Sequence, residues 1–345
     1  MAGFKRLKTK PPLPPMEAKL VDALPEGSGW QFEPKWDGFR CLIFRDGDEV
    51  ELQSKAERPL GRYFPEMVEA VRALPAERFV LDGELVIPVD GVLSFDALQL
   101  RLHPAASRVA RLAAETPAMF MAFDCLELGK HKLADKPLGQ RRAALEKILS
   151  KEAESSLLLS PATTDLHEAL GWLDRTGGAL DGVIAKRLDE PYRPGERAMI
   201  KVKQRRIADC VVGGFRYGRN DRLVASLLLG LYDDEGLLHH VGFTSSIAAK
   251  DRPAWTEELE KLVEPPGFTG NAPGGPSRWS TERTAEWQPL KPSLVIEVQY
   301  DQVTAGRFRH GTRLLRRRPD KAPRQCTCEQ LAHPLTPAEL KQLFK

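Results

Sequence analysis

Cysteine is scarce in this 345-residue chain. There are five: Cys41, Cys125, Cys210, Cys326 and Cys328. The total is odd and the first three sit in apolar, strand-like runs, which argues against a disulfide framework and for a reducing compartment. Cys326-Thr327-Cys328 has no second Cys or His pair at zinc-finger spacing, so a structural or incidental role is expected. No apolar stretch is long enough to cross a membrane, and a signal-peptide h-region is missing. Internal repeats and low-complexity tracts are absent as well. The net charge is only +3, with 42% hydrophobic and 29% charged residues, the make-up of an ordinary soluble protein expected in the cytoplasm. The length allows two domains with separate cores.

What the chain does have is unevenly spread charge. Residues 1–200 carry 28 basic and 31 acidic side chains and residues 201–345 carry 23 and 17, so the halves stand at −3 and +6. The excess gathers late, where Arg307, Arg309, Arg313, Arg316, Arg317, Arg318, Lys321 and Arg324 face only Asp301 and Asp320 along the sequence. Apolar Phe308, Leu314 and Leu315 interrupt the run, which leaves open both an ordered phosphate-binding surface and a solvated face. At the other end, Lys5 to Pro15 is basic and proline-rich and reads as a loose arm.

Between about 16 and 205 strands and helices mix. Strands are expected at Arg40–Phe44, Glu49–Gln53, Phe79–Ile87 and Ala118–Leu126. Phe64, Met67, Val68, Val71 and Leu74 fall at helical spacing. Arg141–Leu149 reads as a second helix, and a third begins at Asp165 with Glu168 completing a capping-box pattern. After about residue 206 the texture changes to short strands. Ile207–Phe215, Val224–Tyr232 and Leu237–Phe243 suggest a strand followed by a hairpin, then come a helix at Trp255–Val263 and a strand at Ser293–Tyr300. Five or six strands with one helix fit a small barrel of the OB type, and Pro337–Phe344 is expected to be a final helix.

The most informative residues are Lys35-Trp36-Asp37-Gly38-Phe39-Arg40, a lysine at a strand edge followed by acid, glycine and arginine. A free lysine has a pKa of about 10.4, so a nucleophilic lysine needs cationic neighbours or a metal. Three further segments supply candidates: Asp82-Gly83-Glu84 inside an apolar run, Asp181-Gly182-Val183-Ile184-Ala185-Lys186, and Lys201-Val202-Lys203, whose lysines share one face of a strand. Each alone has an ordinary explanation as a turn or a solvated strand face. Their co-occurrence in this order does not.

That ordered set resembles the covalent nucleotidyltransferase superfamily, specifically the ATP-dependent DNA ligases of the minimal bacterial, repair type. Lys35–Arg40 matches the first motif, Asp82–Glu84 the third and Phe123-Asp124 the aromatic after it. Asp181–Lys186 matches the fourth, Lys201–Lys203 the fifth, and Arg313–Lys321 is similar to the sixth. The resemblance implies an α+β nucleotidyltransferase (adenylation) domain with antiparallel sheets over 1–205 and an all-β OB-fold barrel over 206–345, with no N-terminal DNA-binding domain. It implies that Lys35 attacks the α-phosphate of ATP, that the resulting lysyl-AMP passes AMP to the 5′-phosphate of nicked double-stranded DNA, and that the 3′-OH then seals the strand.

The roles implied are as follows. Asp37, Lys201 and Lys203 act beside Lys35. Glu33 recognises the adenine amino group, Phe123 and Ile184 flank the base, and Arg40 and Glu84 contact the ribose. Lys186 neutralises phosphate charge, Glu84 and Asp181 hold Mg²⁺ (Mn²⁺ being an alternative), and Arg318, Asp320 and Lys321 act on pyrophosphate. DNA is expected to be gripped through backbone phosphates, by a nucleoid-associated monomer that works with bacterial repair proteins, and Lys35 is expected to be partly adenylated when purified. Two departures stand out. Asp181 opens the fourth motif where glutamate is usual, and Ser54-Lys55 stands where Ser-Arg is usual, losing bidentate phosphate contact. The rival readings are an RNA ligase or capping-type nucleotidyltransferase and, from another class, a non-catalytic OB-type nucleic-acid binder.

Overall fold

A computed structural model describes residues 3–90, 92–149, 156–174, 180–203, 205–219, 221–274, 286–304 and 306–331. The helix expected at 337–344 lies outside the described residues. The chain divides into two compact units, with the division between Gln204 and Arg205.

The first unit carries strands β1 (Ala18–Leu20), β2 (Trp30–Trp36), β3 (Phe39–Asp46), β4 (Glu49–Ser54), β5 (Arg78–Val86), β6 (Met119–Leu128), β7 (Leu157–Leu159), β8 (Leu180–Arg187) and β9 (Met199–Val202). Its helices are α1 (Pro65–Ala73), α2 (Phe95–Arg101), α3 (Ala106–Glu115), α4 (Leu138–Leu149) and α5 (Leu166–Asp174). One sheet runs β1-β9-β8-β2 and the other β7-β6-β5-β3-β4. The expectation of antiparallel sheets needs correction at the edges, because β1 joins β9 and β7 joins β6 in parallel. Both are three-residue strands that arrive from distant parts of the chain rather than by hairpins, so nothing dictates an antiparallel turn.

The larger sheet is buried on both faces. Cys41 and Ile43 of β3 pack with Phe64, Met67 and Val71 from α1 and its cap on one side. Leu42 and Phe44, pointing the other way by strand alternation, pack with Leu7, Met16 and Tyr192. That second contact corrects the expectation of a loose N-terminal arm. Leu7 and Met16 are buried, and burying each apolar side chain stabilises by about 1.5–3 kcal/mol. The buried Glu127 carboxylate accepts the main-chain N–H groups of Lys8 and Thr9, the latter at 2.7 Å. Gln53 accepts from Leu13 N–H at 2.9 Å and donates to Leu13 O at 2.7 Å. Proline supplies no donor, so the segment meets its backbone needs through these side chains instead of a strand ladder.

Helix α5 begins as expected after Asp165, whose carboxylate accepts from His167 N–H at 2.7 Å. Helices α2 and α3 were not expected. Helix α3 buries Val109 and Ala113.

The second unit carries β10 (Arg206–Tyr217), β11 (Val224–Tyr232), β12 (Leu238–Thr244), helix α6 (Arg252–Glu260), β13 (Val295–Tyr300) and β14 (Arg313–Arg317). These strands form one antiparallel sheet in the order β12-β11-β10-β13-β14 around a core that includes Phe215, Leu229 and Ile296. Among the described residues the sheet is an open path. Thr244 and Thr312 make one isolated bridge between its two ends, but no ladder closes it into a barrel.

Candidate active site

Strand alternation puts the motif residues on one cavity. On β2, Glu33 and Lys35 project to the same side while Phe32 and Trp36 join the core behind. On β8, Ile184 and Lys186 do likewise, with Ile184 paired to Glu33 on one side and to Lys201 of β9 on the other. Arg40 of β3 stands directly opposite Glu84 of β5. The cavity, about 210 Å³, is walled by Glu33, Lys35, Arg40, Glu84, Phe123, Ile184, Lys186 and Lys201. Pro15 to Ala18, Pro34, Trp36, Lys55 and Met199 complete its lining. Asp37, Asp181 and Lys203 stand outside that lining.

Three polar clusters surround it. In the first, the Asp181 carboxylate receives Lys35 Nζ at 2.5 Å and Lys203 Nζ at 3.0 Å. Lys201 stands by; burial, then the charges of Lys35, Lys203 and Lys55, press its pKa down while Asp181 opposes them. Asp181 was expected on a metal and here holds the expected nucleophile.

The second cluster is a buried chain of alternating charge. Lys186 Nζ bonds Glu33 at 2.8 Å and the Phe123 carbonyl at 3.2 Å, and lies 3.9 Å from Asp124. Asp124 is gripped by Arg141 at 2.7 and 3.1 Å, and Gln31 donates to the other Glu33 oxygen at 2.7 Å. The four charged side chains are each 4% exposed or less, so two cations and two anions compensate one another where an unpaired charge is not tolerated.

In the third, Arg40 donates to both Asp82 oxygens at 2.7 and 2.6 Å and to Met16 O at 3.3 Å. Burial works against the guanidinium charge, but Asp82 outweighs it and raises the Arg40 pKa. Tyr192 donates its hydroxyl to Asp82 at 2.7 Å and accepts from Met16 N–H at 2.8 Å. Arg40 and Lys186 lie 4.5 and 4.7 Å from the centroid of the Phe123 ring, cation–π distances that fix its orientation. Glu84 next to them is partly buried, and desolvation pushes its carboxyl up to about 7 against the opposing charges of Arg40 and Lys35, with Asp37 reinforcing the rise.

Two glycines set the spacing of these strands. A Cβ on Gly38 would stand 2.1 Å from Leu85 O and 2.8 Å from Glu84 Cγ. Gly182, at φ +140°, brings Val202 O within 2.0 Å of where its Cβ would be.

Arg318, Asp320 and Lys321 belong to the second unit. Arg318 bonds Asp209 at 2.8 Å, Glu297 at 3.2 Å and Asp320 at 2.9 Å, and Lys321 bonds Asp209 at 2.8 Å. Arg316 pairs with Glu297 at 2.9 Å and Arg317 with Glu258 at 2.6 Å. The basic run therefore meets acids from β10, β13 and α6 that its own sequence neighbourhood does not show.

Sequence reasoning thus named every charged side chain lining the cavity except Glu17 and Lys55's place in it, and missed most of what holds them. Asp82 had a signal, since it sits in the third motif, and Asp124 follows Phe123. Tyr192, Arg141, Gln31 and the Pro15–Ala18 wall had none. Among the described residues no helix is long and apolar enough to cross a membrane.

The family described as ATP dependent DNA ligase domain matches residues 15–203, and the ATP dependent DNA ligase C terminal region matches residues 220–321. DNA ligase C2 of Mycolicibacterium smegmatis is 48% identical over 344 residues, covering 95% of this chain and 96% of that protein. DNA ligase C of Mycobacterium tuberculosis is 44% identical over 348 residues, covering 96% and 97%. A solved structure from the Lig E DNA ligases, 17% identical, covers 84% of this chain and 93% of its own with a TM-score of 0.51, a likeness of fold alone. The motifs in order, the cavity they build and two matched regions over most of its length make this chain a member of the ATP-dependent DNA ligase family.

Proposed function

We propose that the cavity takes ATP and that Lys35 is the residue adenylated, the first step in sealing a nick in double-stranded DNA. The observation that carries this is the convergence on one cavity of Lys35, the three further lysines Lys55, Lys186 and Lys201, Arg40, Glu33, Glu84 and Phe123. Lys35 Nζ, having given one proton to solvent, attacks the α-phosphate; a P–N bond forms, the P–O bond to pyrophosphate breaks and pyrophosphate departs, and the remaining excess proton on nitrogen passes to solvent. Before attack the amine must part from Asp181, and Lys201 and Lys203 offset the charge that builds on phosphate. The AMP then moves to the 5′-phosphate, and the 3′-OH displaces it.

For the base and sugar, Glu33 accepts from the adenine amino group, Phe123 and Ile184 flank the ring, and Arg40 and Glu84 face the ribose. Lys186 holds Glu33 and the Phe123 carbonyl in place. Glu84 and Asp181 offer hard oxygen donors. Among the described residues no group of three or more metal-ligating side chains gathers, and Mg²⁺ characteristically relies on one or two carboxylates plus substrate phosphates. The donor set therefore fits Mg²⁺ or Mn²⁺, which would polarise the phosphates when bound. In the second unit, Arg318, Asp320 and Lys321 act on pyrophosphate; the strand order with its Thr244–Thr312 bridge supports the OB-type reading of that unit, which we take as the domain at 206–345, the nucleotidyltransferase domain being 1–205. A nucleoid-associated, monomeric repair enzyme that contacts DNA through backbone phosphates completes the reading.

Incubation with α-labelled ATP and Mg²⁺ tests it. An acid-stable labelled band that Lys35→Ala abolishes is expected, followed by sealing of nicked DNA in preference to nicked RNA duplex. A band that survives Lys35→Ala refutes the assignment of the nucleophile, and preferential sealing of RNA makes the chain an RNA ligase in practice.

A further inference from the structure

The N-terminal segment and Tyr192 form a closed ring with the active-site arginine. Met16 N–H donates to Tyr192 Oη, Tyr192 donates to Asp82, Asp82 accepts Arg40, and Arg40 donates back to Met16 O. Asp82 is fully buried and Tyr192 is 4% exposed, so water cannot replace a missing partner. Met16 and its neighbours Pro15, Glu17 and Ala18 are themselves cavity wall. The residues that precede them are pinned to the large sheet by Glu127 and Gln53, which keeps Met16 from drifting away from Tyr192.

We propose that Tyr192 is a positioning residue for the nucleotide site: its hydroxyl couples the strap of residues 4–17 to Asp82 and so sets both the Arg40 guanidinium and the Pro15–Ala18 wall. Tyr192 lies outside the cavity lining and touches no reacting atom. It acts through Asp82 on Arg40 and through Met16 on the wall. This rests on the reading that the cavity takes ATP. Asp82 without its tyrosine keeps Arg40 but loses one of the donors that fix the carboxylate plane, and Met16 N–H is left buried and unbonded. The ring then opens at the strap, and Arg40 stays paired with Asp82 but on a carboxylate whose plane has lost one of its fixed points.

Tyr192→Phe removes only the hydroxyl. Adenylation of the full chain is followed with α-labelled ATP over a range of ATP concentrations, alongside a melting curve. A positioning role raises the half-saturating ATP concentration by about tenfold, the effect of one buried hydrogen bond, with the maximal rate within about twofold of the parent. A purely structural hydroxyl lowers the melting temperature and leaves half-saturation unchanged, and that result overturns the proposal. Should Tyr192→Phe not fold, Gln53→Leu decides instead. It unfastens the strap at Leu13 from outside the cavity and is expected to raise half-saturation about threefold, an unchanged value overturning the proposal. The parent chain separates this from the reading beneath it: no labelling of the parent removes the ATP site itself, whereas labelling with identical ATP dependence in parent and variant removes only the role of Tyr192.

Discussion

Replacing Glu84 by glutamine changes how the stability of the first unit depends on pH, and the size follows from where that carboxyl sits. Burial moves it from 4.5 to about 7, against the pull of Arg40 and Lys35. A carboxyl whose affinity for protons rises on folding binds more protons folded than unfolded between those values. The folded state is therefore favoured at low pH, and that advantage disappears as pH climbs through about 7. At about 1.4 kcal/mol per tenfold in proton affinity, the loss between pH 5 and pH 8 is about 2.5 kcal/mol. For a unit of this size that is a fall of about 5–10 °C in melting temperature.

Glu84→Gln keeps the shape and removes the titration, so the melting temperature of the variant, relative to the parent, is expected to rise by that amount from pH 5 to pH 8. The comparison is a difference of differences, which cancels every other titrating group, and is made with chelator present so that no cation occupies the carboxylate. Parent and variant curves that run parallel across this range would show that Glu84 is solvated, and the argument from burial would fall.

Asp181→Asn keeps the volume and removes the charge that holds Lys35 and Lys203. Single-turnover adenylation is expected to slow by about a hundredfold, with Asp181→Glu recovering most of the rate; equal rates in all three chains would leave Asp181 without a role. Asp82→Ala strands the Arg40 charge where only 20% of that side chain meets solvent, and calorimetry is expected to show a loss of about 3 kcal/mol. Glu127→Ala takes away the acceptor for the N–H groups of Lys8 and Thr9. Trypsin is then expected to cut at Lys5 to Lys10 several times faster while the rest of the unit resists, and an unchanged digestion pattern would show that Leu7 alone secures the segment.

The motifs were legible because each is a short contiguous string whose alternation in a strand fixes which residues face together. Lys35 with Glu33 and Ile184 with Lys186 needed nothing beyond a period of two, whereas Lys203 lies just past the end of β9 and outside the lining that Lys201 joins. The supports were illegible because their partners are far apart in the chain: Tyr192 meets Asp82 across 110 positions and Met16 across 176. The same distance hid the docking of the N-terminal segment, whose prolines and lysines read as loose while Leu7 and Met16 alone look like chance apolar residues. Strands β1 and β7 are three residues long, too short for any alternation to register. In the second unit the basic run was legible as charge but not as partnership, because Asp209, Glu258 and Glu297 approach it from other elements.

Gly38 and Gly182 carry no chemistry, yet they act as gauges. One determines how far the turn after the lysine-bearing strand stands from the strand of Glu84, and the other how far the Asp181 strand stands from the backbone at Val202. A single methyl at either would have to be accommodated by prising two strands apart, and the tolerance for error in a phosphoryl-transfer site is a fraction of an ångström. Half of what makes these motifs recognisable is therefore a specification of clearances, written in the same few letters as the reaction. An engineer who transplants Lys35, Glu84, Asp181 and the lysine pair into another sheet without its glycines would copy the reagents and lose the machining.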